Sequence, residues 1–144
     1  MQSQTERNLS APASAKPAGR RPVILLVDDE APVRRVLGRI LEREGYTVLP
    51  AENGLDALGY ALWPGQRVDL VITDVTMPVL GGNEFVQHLR ESQPDMPVLY
   101  VSGYPKSSAD LDGASNTHFL LKPFDPAQLT ETVRGLLQPD TLAA

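Results

Sequence analysis

The chain has 144 residues and no cysteine, enough for one domain with a real core but not two full ones, and without any disulfide or thiolate metal site. Its 42% hydrophobic and 22% charged residues are those of a globular protein. No apolar run approaches the ~18–20 residues of a membrane span, and the lack of thiols fits the cytoplasm. Residues 1–21 carry Arg7, Lys16, Arg20 and Arg21 against Glu6, net +3, so residues 22–144 hold the remaining 9 basic and 17 acidic groups, net −8. A body that acidic repels a phosphate backbone, which argues against direct nucleic-acid binding.

Residues 1–21 are rich in Ser, Ala and Pro, with Leu9 as the one large apolar residue besides Met1. Such a stretch buries too little surface to offset its ordering entropy, and reads as a flexible tail. Arg20-Arg21 ahead of Val23–Val27 resembles a signal-peptide start, but five apolar residues ending in Asp28-Asp29-Glu30 make no apolar signal segment. From Val23 onward strands and helices alternate. Val23–Val27 is a continuous apolar run, as for a strand buried on both faces. Pro32 suits a first helical turn, and Val33, Val36, Leu37, Ile40 and Leu41 follow at helical spacing until Gly45. Tyr46–Leu49 reads as a second strand, and Gly54–Leu62 as a short helix with Leu55, Leu58 and Leu62 inward. Trp63-Pro64-Gly65 reads as a loop capping the core. Leu70–Thr73 is a third strand, and Asn83–Ser92 a helix burying Phe85, Val86 and Leu89, with Gly81-Gly82 letting the chain turn into it. Val98–Val101 and Phe119–Leu121 are the fourth and fifth strands, and Lys106–Thr117 between them predicts a poorly formed helix. Asp125, Pro126 and Gln128 start a last helix with a capping-box pattern, burying Leu129, Val133, Leu136 and Leu137.

Five apolar strands alternating with amphipathic helices make an α/β fold with a parallel sheet covered on both faces. With right-handed crossovers the expected architecture is flavodoxin-like, (βα)5 and doubly wound, with strand order 2-1-3-4-5. In such sheets ligands bind beyond the carboxyl ends of the strands. Strand one ends in Asp28-Asp29-Glu30 and strand three in Asp74, while strand four ends in Ser102-Gly103 and strand five in Lys122-Pro123. Carboxylates, a hydroxyl and an ammonium therefore converge on one rim. At ~4 Å and an effective dielectric near 20, each pair of like charges costs roughly 4 kcal/mol. A hard divalent cation removes that cost, and an oxygen-only site with open positions suits Mg²⁺. Asp74 could then attack a phosphoryl group, with Lys122 and Ser102 holding its other oxygens.

Residues 22–138 resemble the receiver domain of two-component response regulators. The stretches that carry the resemblance are Leu26-Val-Asp-Asp-Glu30, Ile72-Thr-Asp-Val-Thr-Met-Pro78, Val101-Ser-Gly-Tyr104 and Leu121-Lys-Pro-Phe124. The resemblance implies that Asp74 is the phosphoacceptor and that Asp28, Asp29, Asp74 and the Thr76 carbonyl bind Mg²⁺. It implies that Ser102 moves toward the phosphoryl group, that Lys122 contacts it, and that Phe119, three residues before the lysine, turns inward with that movement. A cis Lys122-Pro123 peptide would also accord with it. Thr76 and Tyr104, two residues beyond Asp74 and Ser102, flank the expected path of attacking water, and a bulky Tyr104 should slow hydrolysis.

The implied donor is a sensor histidine kinase or a histidine phosphotransfer protein, and the implied turnover is limited to self-phosphorylation and autodephosphorylation. No output domain is expected after the last helix, only residues 139–144, so the signal should pass to a downstream protein. The alternatives are a degenerate receiver acting as a protein-binding module, or a receiver derived from a hybrid histidine kinase. The Lys106–Thr117 segment is shorter and more polar than the family's corresponding helix, which puts dimerisation in doubt and leaves a monomer or weak dimer. Other readings fit less well. A haloacid-dehalogenase-type phosphohydrolase wants a second acid two residues beyond its nucleophile, where this chain has Thr76. A flavin or nucleotide carrier wants a Gly- and Ser/Thr-rich loop after strand one, where this chain has three acids. A degenerate receiver that only binds protein would have lost the acids, Ser102 and Lys122. His88 and His118 lack the partners of a phosphohistidine or metal site.

Overall fold

The computed structural model describes residues 20–103 and 116–137. Along the chain run β1 (Val23–Val27), α1 (Ala31–Arg43), β2 (Thr47–Ala51), α2 (Gly54–Ala61), β3 (Leu70–Asp74), α3 (Gly82–Ser92), β4 (Val98–Ser102), β5 (Thr117–Leu121) and α4 (Pro126–Leu137). The five strands form one parallel sheet in the order β2-β1-β3-β4-β5, as the alternation predicts. Among the described residues, no helix is long and apolar enough to cross a membrane. Most of the expected 1–21 tail, most of the Lys106–Thr117 segment, Tyr104 and residues 138–144 lie outside the described residues.

Side chains alternate across the sheet with the two-residue period of a strand. Ile24, Leu26, Ile72, Leu99 and Val101 meet Leu37 and Leu41 of α1 and Leu129 and Val133 of α4 on one face. Leu25, Val27, Val71, Val98 and Tyr100 meet Ala57 and Ala61 of α2 and Phe85, Val86 and Leu89 of α3 on the other. Caps fix the helix ends that set these faces. The Asp125 carboxylate accepts from the Gln128 N–H at 2.8 Å, and the Gln128 amide accepts from the Asp125 N–H at 2.9 Å. Asn53 accepts from the Asp56 N–H at 2.8 Å and starts α2. Gly45, at φ +98°, lets the chain leave α1 in a left-handed conformation.

At the large apolar side chains, three sequence expectations fail. Leu55 and Leu62 point outward, 62% and 51% exposed, and it is Ala57 and Ala61 that α2 buries. The inward side of α2 is set by Gly54, Ala57 and Ala61, with Leu58 half-buried beside them as expected, and Leu55 and Leu62 fall on the opposite side. Trp63 does not cap the core; it is 70% exposed. Val36 stands outside the buried stripe of α1, 56% exposed.

Candidate functional site

β1 and β3 lie side by side, so their last residues reach the same rim. Asp28 follows β1 directly, and Asp74 ends β3. The carboxylates of Asp28, Asp29 and Asp74 each offer an oxygen within 4.8 Å of the others, and they are the one such acidic or histidine group among the described residues. They are not equivalent: Asp28 is buried at 1% exposure, Asp74 is half-buried and Asp29 is exposed. One Asp28 oxygen accepts from the Glu30 N–H at 2.9 Å. The other, Oδ2, is buried and accepts no hydrogen bond among the described residues.

Lys122 enters from β5. Its N–H donates to the Ser102 carbonyl at 2.7 Å, which continues the β4–β5 pairing by one residue. The ammonium Nζ then lies 3.4 Å from Asp74 Oδ2 and 3.6 Å from Asp28 Oδ2. Ser102 is buried at the end of β4, beside this lysine. The Lys122-Pro123 peptide is cis. Thr76 is exposed, and its N–H donates to Asp74 Oδ1 at 3.4 Å. Phe119 is half-buried opposite Tyr100 and packs on the cluster that holds Phe85 and Tyr100. The structure thus brings Asp28, Asp29, Asp74 and Lys122 together, with Ser102 and Thr76 at their side and Phe119 three residues back along β5. His88 and His118 are exposed and outside the group.

Burial, the largest influence, lifts the Asp28 carboxyl above its ordinary 3.8. The Glu30 N–H and the Lys122 charge pull it back, while the charges of Asp74 and Asp29 add to the rise. The centre is short of positive charge, since one ammonium faces three carboxylates. A buried carboxylate oxygen with no hydrogen bond and only the Lys122 ammonium at 3.6 Å, beside two more carboxylates and with no Cys or His in the group they form among the described residues, fits a hard cation such as Mg²⁺.

Three further residues support the site. The Arg34 guanidinium, one turn into α1, donates to the Asp28 carbonyl at 2.6 Å and ties the acidic loop to that helix. The buried Thr73 hydroxyl donates to the Asp74 carbonyl at 2.9 Å. Gly82 packs so closely on that carbonyl that a Cβ there would overlap it. The expected turn-forming glycine is therefore a contact glycine, placed where α3 touches the backbone of Asp74.

The response regulator receiver domain profile matches residues 24–134. The chain belongs to this family. As a receiver it is a signalling domain of two-component systems and not a conventional enzyme. It is 38% identical over 117 residues to the sensor kinase CckA of Brucella abortus (strain 2308), covering 80% of this chain and 12% of that one. It is 34% identical to the transcriptional regulatory protein ResD of Bacillus subtilis (strain 168), covering 80% of this chain and 48% of that one. The receiver thus spans at most about half the length of these relatives. Among solved structures, the response regulator TrrA of Thermotoga maritima in complex with Mg²⁺-BeF superposes with a TM-score of 0.72 at 34% identity, over 81% of this chain and 99% of that one. Receivers bind Mg²⁺ at an acidic pocket of this kind and interact with histidine kinases or phosphotransfer proteins.

Proposed function

We propose that this receiver, residues 22–138 between two tails, is a phosphorylation-dependent switch with Asp74 as its phosphoacceptor. The observation that carries the reading is the Lys122 ammonium 3.4 Å from Asp74 Oδ2, beside two further carboxylates. An Asp74 oxygen attacks the phosphorus of a phosphohistidine on a sensor kinase or phosphotransfer protein. The P–O bond forms as the P–N bond breaks, the imidazole nitrogen keeps the electron pair and takes a proton from solvent, and Asp74 becomes an acyl phosphate. Asp28, Asp29, Asp74 and the Thr76 carbonyl would hold Mg²⁺, which when bound would neutralise phosphoryl charge. Lys122 and the Ser102 hydroxyl bind the remaining phosphoryl oxygens, so the chain contributes mostly position and charge.

Small phosphoryl donors serve the same aspartate, and water reverses the step. Thr76 and Tyr104, each two residues past a site residue, tune that hydrolysis. Ser102 moving toward the phosphoryl group draws Phe119 inward, and a downstream protein reads the altered surface. The half-buried position of Phe119 against the Phe85–Tyr100 cluster is consistent with such a movement. The likeness to CckA supports a second reading, a receiver serving a hybrid histidine kinase.

Transfer from a phosphohistidine protein tests the reading. Radiolabelled donor should pass its phosphoryl group to the chain, and borohydride trapping should convert residue 74 alone to homoserine. Label at another residue would overturn the assignment.

A further inference from the structure

Along the outer side of α2, the described residues leave an apolar surface without a partner among them. Leu55, Gly59 and Leu62 recur at helical spacing along the outer side of α2, and Trp63 follows directly. Leu55, Leu62 and Trp63 are 62%, 51% and 70% exposed. Asp56, Gly59, Tyr60, Trp63 and Gln66 line a groove of about 450 Å³ there. Nothing in the phosphoacceptor site uses these residues. Trp63 on the groove wall, with exposed Leu55 and Leu62 along the outer side of α2, forms a surface suited to contact.

We propose that the groove is covered by the chain's own N-terminal segment, with Leu9 seated against Trp63 and Tyr60 and Arg7 paired with Asp56. Reach follows from the bonding at the start of the sheet. The Val23 N–H donates to Asp69 Oδ2 at 2.7 Å, and the Asp69 N–H donates to the Val23 carbonyl at 2.8 Å. Gln66, on the groove wall, is three residues from Asp69, and Arg20 is three residues from Val23. Even fully extended, those links hold Arg20 within about 25 Å of the groove. Leu9 precedes Arg20 by eleven residues, a span of up to about 38 Å, so the segment reaches with slack.

Charge selects the same occupant. Residues 1–21 carry net +3 and the rest of the chain net −8, so the segment is attracted to the body it leaves. Arg7 and Leu9 are two apart and share one side of an extended chain, which lets the first meet Asp56 while the second enters the groove. A second copy of this acidic body would be repelled instead.

Trp63 is the single tryptophan of the chain, so its fluorescence reads this groove alone. Acrylamide quenching of the full chain is compared with that of Leu9→Glu and Arg7→Glu. The expected result is a quenching slope about twofold higher in Leu9→Glu than in the unaltered chain, as for a groove at least half occupied. Arg7→Glu should fall between them, and dilution from about 100 to 1 μM should leave the slope unchanged. Equal slopes for the unaltered chain and Leu9→Glu would overturn the proposal. A slope that rises on dilution would overturn it too, in favour of a second copy on the groove.

Discussion

The Lys122 ammonium lies 3.4 Å from Asp74 Oδ2, a contact between residues 48 apart in sequence. The same nitrogen is 3.6 Å from the buried Asp28 Oδ2. It therefore partly neutralises the pocket in which a metal cation would bind, and is placed to meet an incoming phosphoryl group. Lys122→Ala should separate these effects. Mg²⁺ affinity should rise several-fold because a competing cation is gone, while the rate of Asp74 phosphorylation falls about 10²-fold, as for loss of one charge-stabilising donor. Metal titration and single-turnover kinetics on the same protein check both. A fall in Mg²⁺ affinity would contradict the charge argument.

Asp28 should make stability depend on pH in a direction opposite to that of most carboxylates. Its folded carboxyl sits above 3.8, chiefly through burial, so the folded state holds the proton more tightly than the unfolded chain. That contribution is full below 3.8 and is lost as pH rises through the folded value. Asp28→Asn removes the buried charge while keeping an oxygen for the Glu30 N–H. At neutral pH without metal it should be more stable by about 1 kcal/mol, with a midpoint of thermal unfolding about 2–4 °C higher. Mg²⁺ should raise that midpoint in the unaltered protein and much less in the variant. Thermal unfolding across pH, with and without Mg²⁺, measures all of this.

Gly82→Ala should be among the most damaging single-methyl changes in the chain. The added Cβ would overlap the Asp74 carbonyl and crowd the Thr73 hydroxyl, and backbone, unlike a flexible side chain, cannot swing away. A loss of about 1–3 kcal/mol in urea unfolding is expected, the usual range for overpacking. Phosphorylation should slow as well, because the shift falls on the backbone of Asp74, the proposed phosphoacceptor.

The loop after Asp74 holds a strained residue. Val79 has φ +72°, and the Leu80 N–H donates to the Pro78 carbonyl at 2.8 Å, a γ-turn centred on a β-branched residue. Its side chain is exposed, so little packing is lost on truncation. Val79→Gly should stabilise the protein by about 1 kcal/mol, since relief of left-handed strain exceeds the added entropy of an unfolded glycine. An equal loss in urea unfolding would show that the turn is not strained.

The parts of this molecule legible in its sequence are those where one side chain reports its own surroundings. Val23–Val27, Leu70–Ile72 and Val98–Val101 are apolar without interruption because both faces of those strands are covered, and the residues at the carboxyl ends of β1, β3 and β4 mark the site. Asp28, Asp74, Ser102 and Lys122 could be assembled because a parallel sheet delivers every strand end to one rim. What stayed hidden depends on distance between elements. Leucine spacing alone put Leu55 and Leu62 inside, yet α2 turns Ala57 and Ala61 inward instead, and alanine carries too weak a hydrophobic signal to reveal itself. Gly82 reads as a turn until the approach of α3 to the Asp74 carbonyl is seen. The adjacent Asp28 and Asp29 look alike in sequence, but one is buried and the other exposed.

The most direct measurement is the intact mass of the protein after incubation with acetyl phosphate, with and without Mg²⁺, beside Asp74→Asn. The account predicts a single phosphate-sized gain that requires Mg²⁺ and is absent from the variant. A gain that persists in Asp74→Asn, or no gain with Mg²⁺ and donor in excess, would contradict it.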